Sequence, residues 1–230
     1  MQSVKEQCST VLEDKMVSQE KFFETPAPKP VYDFFKRIFD LTMSALALIV
    51  LSPLFLVVAI AIKLEDGGNV IYGSTRLTKG GKEFTMYKFR SMCIDAEQKL
   101  EGLLDQNEMD GPAFKIAHDP RITKVGRFIR KTSIDELPQL INIIMGDMTI
   151  VGPRPPLPRE VEQYNEYQLH RLDVKTGLSC YHECYGRSDN PDFDEWVEQD
   201  LRYIRERGVL TDLKIILLTV KVVLTGEGAV

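Results

Sequence analysis

The chain has 230 residues, 43% hydrophobic and 27% charged, enough for one catalytic domain with a sizeable core and some extension. A formal net charge of −5 speaks against a general nucleic-acid binder. The four cysteines (Cys8, Cys93, Cys180 and Cys184) lack paired spacing, which argues against a disulfide framework and implies reduced thiols in a cytosolic catalytic part.

Residues 1–30 are polar and end in Thr25-Pro-Ala-Pro-Lys-Pro30, where alternating prolines block helix and sheet. They read as a disordered tail and an extended linker. Val31, Phe34, Phe35 and Ile38 then recur at helical spacing beside Lys36 and Arg37. The run from Leu41 to Ile62 carries no charge. As a helix it measures roughly 33 Å, against a hydrocarbon core of about 30 Å. It starts too late and runs too long for a signal peptide, and no small-residue cleavage site follows it. Ser52-Pro53 stands at its centre, where the ring removes a donor and frees a carbonyl around Ile49. A proline-kinked single span fits that pattern. The flanks oppose it: Lys36 and Arg37 precede the run, and Lys63, Lys79, Lys82, Lys88 and Arg90 follow, so both ends read as cytoplasmic. The run then enters and leaves one leaflet, with Pro53 as hinge and the Ser52 hydroxyl bonded to a nearby carbonyl.

Glu65-Asp-Gly-Gly-Asn69 ends this segment. Residues 69–76 and 83–90 flank Lys79-Gly-Gly-Lys82 and predict a β-hairpin. Residues 96–104 predict a short acidic helix. Asp119-Pro120 turns into a basic helical segment whose Arg121, Lys124, Arg127 and Arg130 recur every three residues and can share one side. A helix then opens at Ser133-Ile-Asp-Glu136, runs through Ile144 and ends at Gly146-Asp147. Residues 151–158 are too proline-rich to be regular. Residues 160–172 and 193–207 predict surface helices. Residues 210–224 predict an apolar helix that suits the membrane interface or a packed core equally. There is no internal repeat.

Charge is segregated along the chain. Residues 115–131 hold six Lys/Arg against one Asp, residues 95–110 six acids against one Lys, and residues 183–200 seven acids against one Arg. Such clusters are usually solvated faces, but one that converges on a cleft binds a ligand of opposite sign. Cys180-Tyr-His182-Glu-Cys184 lacks a fourth metal ligand at normal spacing. No P-loop, no Gly-x-Ser-x-Gly and no His-Glu-x-x-His is present, and His118, His170 and His182 form no base or metal spacing.

The chemistry centres on Ser133-Ile-Asp135-Glu136. Ser-x-x-Glu ahead of an apolar helix is a capping box, and on that motif alone capping outweighs catalysis. The neighbours shift the balance. Arg130 and Lys131 precede the pair, Gly152-Pro-Arg154-Pro-Pro holds an arginine in a stiff loop, and Gly186-Arg187 follows in a polar stretch. Two carboxylates among arginines suit a divalent metal and a phosphate, and a carboxylate kept ionised there can attack phosphorus.

Ser52-Pro53, YKFRSM at residues 87–92, DPRITKVGRFIRKTSIDELPQLINIIMGDMTIVGPRP at 119–155, and Gly186-Arg187 together resemble the bacterial sugar transferase family, the monotopic phosphoglycosyl transferases acting on polyprenyl phosphate. The match runs from about residue 32 to 224. The resemblance implies an α+β, mostly helical fold. A re-entrant membrane helix broken at Ser52-Pro53 (31–64) follows the tail (1–30) and precedes a cytoplasmic catalytic domain (65–230) with a small β-hairpin and interfacial helices. It further implies a Mg²⁺-dependent enzyme of the bacterial inner membrane that moves a sugar 1-phosphate from a UDP-sugar onto undecaprenyl phosphate and releases UMP, initiating surface polysaccharide or glycoconjugate synthesis. Asp135 would be the nucleophile, forming a phosphosugar–aspartyl intermediate, and Glu136 would assist, both near the metal. Arg130, Arg154 and Arg187 would hold phosphate oxygens, with Lys88 and Arg90 in the same cleft. The partners expected are UDP-sugar, undecaprenyl phosphate and inner-membrane lipid, with no nucleic acid; the sugar and any homo-oligomer are left open.

The family's Pro-Gly-Ile-Thr-Gly-x-x-Gln stretch is replaced by Thr176-Gly-Leu-Ser-Cys-Tyr-His-Glu183. That departure motivates an alternative, a catalytically silent membrane anchor that recruits partners. A membrane-attached lipid phosphatase is a third reading.

Overall fold

In a computed structural model, which describes residues 23–106, 108, 112, 116, 119–185 and 192–225, the chain is mostly helical with two small two-stranded sheets. Helix α1 (Pro30–Asp66) opens on a proline, whose fixed φ suits a first turn and whose missing N–H has no partner there anyway. It ends at Gly67, which takes the left-handed conformation and donates its N–H to the Lys63 carbonyl. Over 37 residues it is roughly 55 Å long. The helix continues through Pro53 rather than breaking there. The Ser52 hydroxyl donates to the Ile49 carbonyl at 2.8 Å, the acceptor that the proline leaves without its usual N–H.

One face of α1 packs inward through Asp40, Ser44, Ala47, Leu48, Leu54, Phe55, Val58 and Ile62, spaced by about three or four as a helix stripe must be. The opposite face exposes Leu46, Ile49, Val50, Leu56, Val57 and Ile60. Among the described residues it is the one helix long and apolar enough to cross a membrane.

The hairpin forms where expected. Strands β1 (Ile71–Thr78) and β2 (Lys82–Phe89) pair antiparallel from Ile71 opposite Phe89 to Thr78 opposite Lys82. The reversal uses Gly80 and Gly81, both at positive φ. The acidic stretch forms helix α2 (Ala96–Leu100), which continues as a tight 3₁₀ turn, Glu101–Gln106. The basic helix α3 (Lys124–Lys131) begins later than its charge spacing implies. Thr123 is the N-cap, and Arg121 lies outside the helix, buried and paired with Asp119 at 2.6 Å. Arg121 therefore does not share a helix side with Arg127 and Arg130.

Helix α4 (Gln139–Met145) ends at Gly146 in the left-handed region and leads into β3 (Thr149–Val151). β3 pairs parallel with β4 (Gly177–Ser179), a contact the sequence reading did not anticipate. The single helix expected over 160–172 is instead three pieces: α5 (Pro158–Val161), α6 (Glu166–Leu169) and a 3₁₀ turn, His170–Leu172. Asn165 restarts the chain by accepting the Gln168 N–H at 2.9 Å. After α7 (Tyr181–Tyr185), helix α8 (Phe193–Glu206) matches its expected span. It is not a surface helix, however, because Trp196, Val197, Leu201 and Ile204 build the core with Val151 and Ile215. Ile215 belongs to α9 (Val209–Thr225), which exposes Leu210, Leu213, Leu217 and Val220 on its other side.

The described end of the linker, residues 23–29, has no regular structure, as its prolines require, but it is not free. Phe23 is buried against His170 and Tyr167, and Lys29 donates to the Arg207 carbonyl. One aromatic anchor and a few polar ties hold this stretch of the extended linker against the folded body. Residues 1–22 of the expected tail lie outside the described residues.

Candidate active site

The acid pair stands in a strained connection between α3 and α4. Ser133 has φ 55°, the single non-glycine residue at positive φ among the described residues. That conformation costs an ordinary residue about 1–2 kcal/mol. Ile134–Glu136 then form one 3₁₀ turn before Pro138 admits the chain to α4. The expected capping box does not form. An N-cap needs extended backbone, Ser133 is left-handed and makes no capping bond, and the Glu136 carboxylate is turned to Lys88.

Supports on both sides hold this connection. Upstream, the Glu65 carboxylate accepts the Lys124 and Val125 N–H groups at the start of α3. Gly126 lies so close to Ser91 that a Cβ would fall 1.9 Å from its carbonyl oxygen, so only glycine lets α3 seat on the end of the hairpin. Downstream, Asn142 is fully buried in α4 and bridges to β2. Its amide donates to the Thr85 carbonyl at 2.7 Å and accepts the Tyr87 N–H at 3.0 Å. Arg37 of α1 donates to the Ile143 and Ile144 carbonyls at the other end of α4.

Asp135 is 7% exposed and Glu136 forms a 2.7 Å ion pair with Lys88. Arg76, on the partner strand, is the basic residue the sequence reading missed. Its guanidinium donates to the Pro155 carbonyl at 3.0 Å. Burial, and after it the charge of Arg154, push Arg76 down to about 10, while Glu160, Tyr72 and Glu136 oppose the shift. It stays protonated at neutral pH. Nothing local marked Arg76 apart from the other basic residues of the hairpin; only its place beneath the arginine loop does. That loop is pinned from two sides, with the Leu77 N–H donating to the Pro156 carbonyl and the Gly177 N–H to the Pro153 carbonyl. Arg154 itself is exposed, with its guanidinium 5.0 Å from the centre of the Trp196 ring. Beneath it, Arg171 is wholly buried and paired with Asp200 at 2.7 Å. Burial alone would lower Arg171, and the Asp200 carboxylate outweighs it.

The structure thus gathers Glu136, Lys88, Arg76 and Arg154, with Asp135 beside them in the chain. Arg130 is half-buried on α3, close enough to act on Asp119. Arg90 forms an ion pair with Asp66 at the end of α1. Arg187 and His118 lie outside the described residues. Of the departures at 176–183, Glu183 is half-buried, and Thr176 and Cys180 face inward. Thr176 is buried with its hydroxyl on that of Thr78 at 3.2 Å, Cys180 is buried, and His182 stacks on Trp196. Among the described residues no three His, Cys, Asp or Glu side chains converge as a metal cage. Two adjacent carboxylates fit an ion that takes its remaining ligands from phosphate and water, as Mg²⁺ does.

The profile of a family described as bacterial sugar transferase matches residues 31–226. The chain is 48% identical over 196 residues to the galactosyl transferase CpsE of Streptococcus agalactiae, covering 84% of this chain and 43% of that protein. It is 42% identical over 200 residues to the undecaprenyl-phosphate galactose phosphotransferase of Salmonella typhimurium, covering 85% of this chain and 42% of that one. It is 39% identical over 210 residues to the exopolysaccharide production protein ExoY of Sinorhizobium fredii, covering 90% of this chain and 92% of that one. The chain therefore spans less than half the length of the first two relatives and nearly all of the third.

Proposed function

The chain belongs to the bacterial sugar transferase family, and from that membership we propose that it moves a sugar 1-phosphate from a UDP-sugar to undecaprenyl phosphate in exopolysaccharide or glycoconjugate synthesis. The observation that carries the reading is the acid pair set beside Lys88, Arg76 and Arg154. An Asp135 carboxylate oxygen attacks the β-phosphorus of the nucleotide sugar. The bond from that phosphorus to the bridging oxygen breaks, its electron pair leaves with UMP, and a phosphosugar–aspartyl ester remains. A phosphate oxygen of undecaprenyl phosphate then attacks the same phosphorus and returns the Asp135 carboxylate. Lys88, Arg76 and Arg154 stabilise the charge that develops on the phosphoryl oxygens. Asp135 and Glu136 would hold Mg²⁺ together with pyrophosphate oxygens, and the ion would neutralise that same charge.

The membrane reading is that α1 enters and leaves one leaflet from the cytoplasmic side. Ties at both of its ends to one folded body support it. Near its start, Lys36 pairs with Asp212 and Asp33 with Arg207; at its end, Asp66 pairs with Arg90. A helix crossing the bilayer would separate those ends by about 30 Å of hydrocarbon, whereas here the same body holds both. The exposed apolar stripe of α9 suits the interface beside it.

Asp135→Asn tests the mechanism. UMP release across a panel of UDP-sugars with undecaprenyl phosphate should fall by about 10⁴-fold or more, the scale at which a lost nucleophile is read. Undiminished release in that variant overturns the covalent route. Failure of the unaltered protein to release UMP from any UDP-sugar would favour the silent anchor instead.

A further inference from the structure

A second basic site lies at the other end of α4 from the acid pair. A cavity of about 180 Å³ opens between the first turns of α1, the hairpin turn, the segment before β4 and the link from α8 to α9. Arg37, Asp40, Lys79, Lys175, Tyr203 and Arg207 are among its lining residues, and none of them belongs to the cluster around Glu136.

Its charges do not balance internally. Lys36 is neutralised by Asp212 and Arg207 by Asp33. That leaves Arg37, Lys79 and Lys175 against Asp40, whose carboxylate already accepts the Thr149 hydroxyl at 2.5 Å and the Ile150 N–H at 3.2 Å. Lys79 and Lys175 form no ion pair among the described residues, and the Arg207 Nε is buried with no hydrogen-bond partner among them. Burial and then the Arg37 charge lower Lys175, an effect that the acids Asp40 and Asp147 do not cancel. Two lysines without an ion pair among the described residues, beside an arginine held on the α4 carbonyls, suit an anion of the size of a phosphate group.

The surroundings point to what carries that phosphate. Phe34, next to Asp33 on α1, is 62% exposed, and Met145, beside the carbonyls held by Arg37, is 60% exposed. Cations in a hollow at the start of a helix whose middle exposes an apolar face match a molecule with an anionic head and acyl chains. We propose that this cavity seats the phosphate headgroup of an anionic phospholipid, at a site separate from the acid pair. The proposal rests on the membrane insertion of α1 but not on the chemistry of Asp135.

The test compares the full chain in detergent with added phosphatidylglycerol, phosphatidylcholine or inorganic phosphate at matched concentration, reading thermal unfolding. Phosphatidylglycerol at about a hundredfold excess over its Kd should raise Tm by about 5 °C or more, the size that ligand linkage gives a domain of this length. Phosphatidylcholine and inorganic phosphate should raise it little. The double variant Lys79→Gln/Lys175→Gln should lose the phosphatidylglycerol response, and Lys79→Arg/Lys175→Arg should keep it. An equal response to phosphatidylcholine overturns the proposal, as does a response that survives in the glutamine variant. A full response to inorganic phosphate overturns the lipid assignment. UMP release in phosphatidylcholine micelles should be unchanged in both variants, so a failed lipid response and a failed transferase reading are separately visible.

Discussion

At the scale of single residues, the site turns on where charge is held and what holds it. Lys88 and Glu136 pair at 2.7 Å in a half-buried setting, and Lys88 joins Arg76 as a hairpin cation beside the acid pair. Lys88→Met should lower UMP release by about 10²–10³-fold, the loss expected when one stabilising donor is removed. Circular dichroism should show the fold retained. Arg76 poses the opposite trade. A base held at about 10, below its ordinary value, is a charge whose burial weakens folding. The sign follows from linkage: above about pH 10 the unfolded chain binds the extra proton until it too titrates, so stability from this group rises with pH there and is lowest at lower pH. Arg76→Met should therefore leave Tm at pH 7 unchanged or higher while UMP release falls. A marked drop in Tm would show the arginine to be a structural strut instead. Asp119 runs the other way. Burial opposes its charge, but the Arg121 bonds win and hold the carboxyl below its usual range. Its contribution is full above a pH of about 4 and is lost as pH falls through the lowered value. An Asp119→Asn chain should be less stable at pH 7, with the difference from the unaltered chain shrinking below about pH 4 in acid melts. The Lys88 and Arg76 effects are not visible in local sequence, because they depend on neighbours from other elements and on burial, whereas Asp119 is held by Arg121 two residues on.

At the scale of elements, the acid pair is placed by α4 more than by its own turn. Asn142 stitches α4 to two backbone groups of β2, both at hydrogen-bond length. Asn142→Ala should cost roughly 2–4 kcal/mol in urea unfolding, since each orphaned backbone group carries about 1–3 kcal/mol. The same variant should also lower kcat, because the 3₁₀ turn bearing Asp135 and Glu136 runs directly into α4. The hairpin and α8 were legible beforehand for a physical reason. A Gly-Gly reversal and a long helical period are local signals that survive whatever packs around them. The β3–β4 pair was not legible, because three residues per strand carry no period and the pairing spans distant segments. The helix expected over 160–172 failed for the converse reason. Its apolar spacing is real, but Asn165 caps a new turn, and burial of Arg171 and Leu172 pulls the chain inward.

At the scale of the whole molecule, α1 is both anchor and frame. One of its faces packs on the hairpin and on α3 and α4, and the other exposes an apolar surface along its middle. A reporter at residue 1 and one at the C-terminus should both be accessible from the cytoplasmic side in cells. A periplasmic residue 1 with a cytoplasmic C-terminus would make α1 an ordinary span. Pro53→Ala should shift some molecules toward that topology, because the alanine N–H restores the main-chain bond to Ile49 and removes the need for the Ser52 hydroxyl there.

The amino-acid sequence alone determined the apolar run and its Ser52-Pro53 centre, the hairpin, the acid pair and the family resemblance. These are legible because length, period and motif are properties of neighbouring residues. Only the tertiary structure decided that Ser133 is left-handed rather than a cap and that Lys88 rather than Arg90 meets Glu136. It also revealed Arg76 beneath Arg154, and it gathered Arg37, Lys79 and Lys175 around a second cavity. Each of these joins residues far apart in the chain, and burial and charge between such residues are set by packing, which no local pattern encodes.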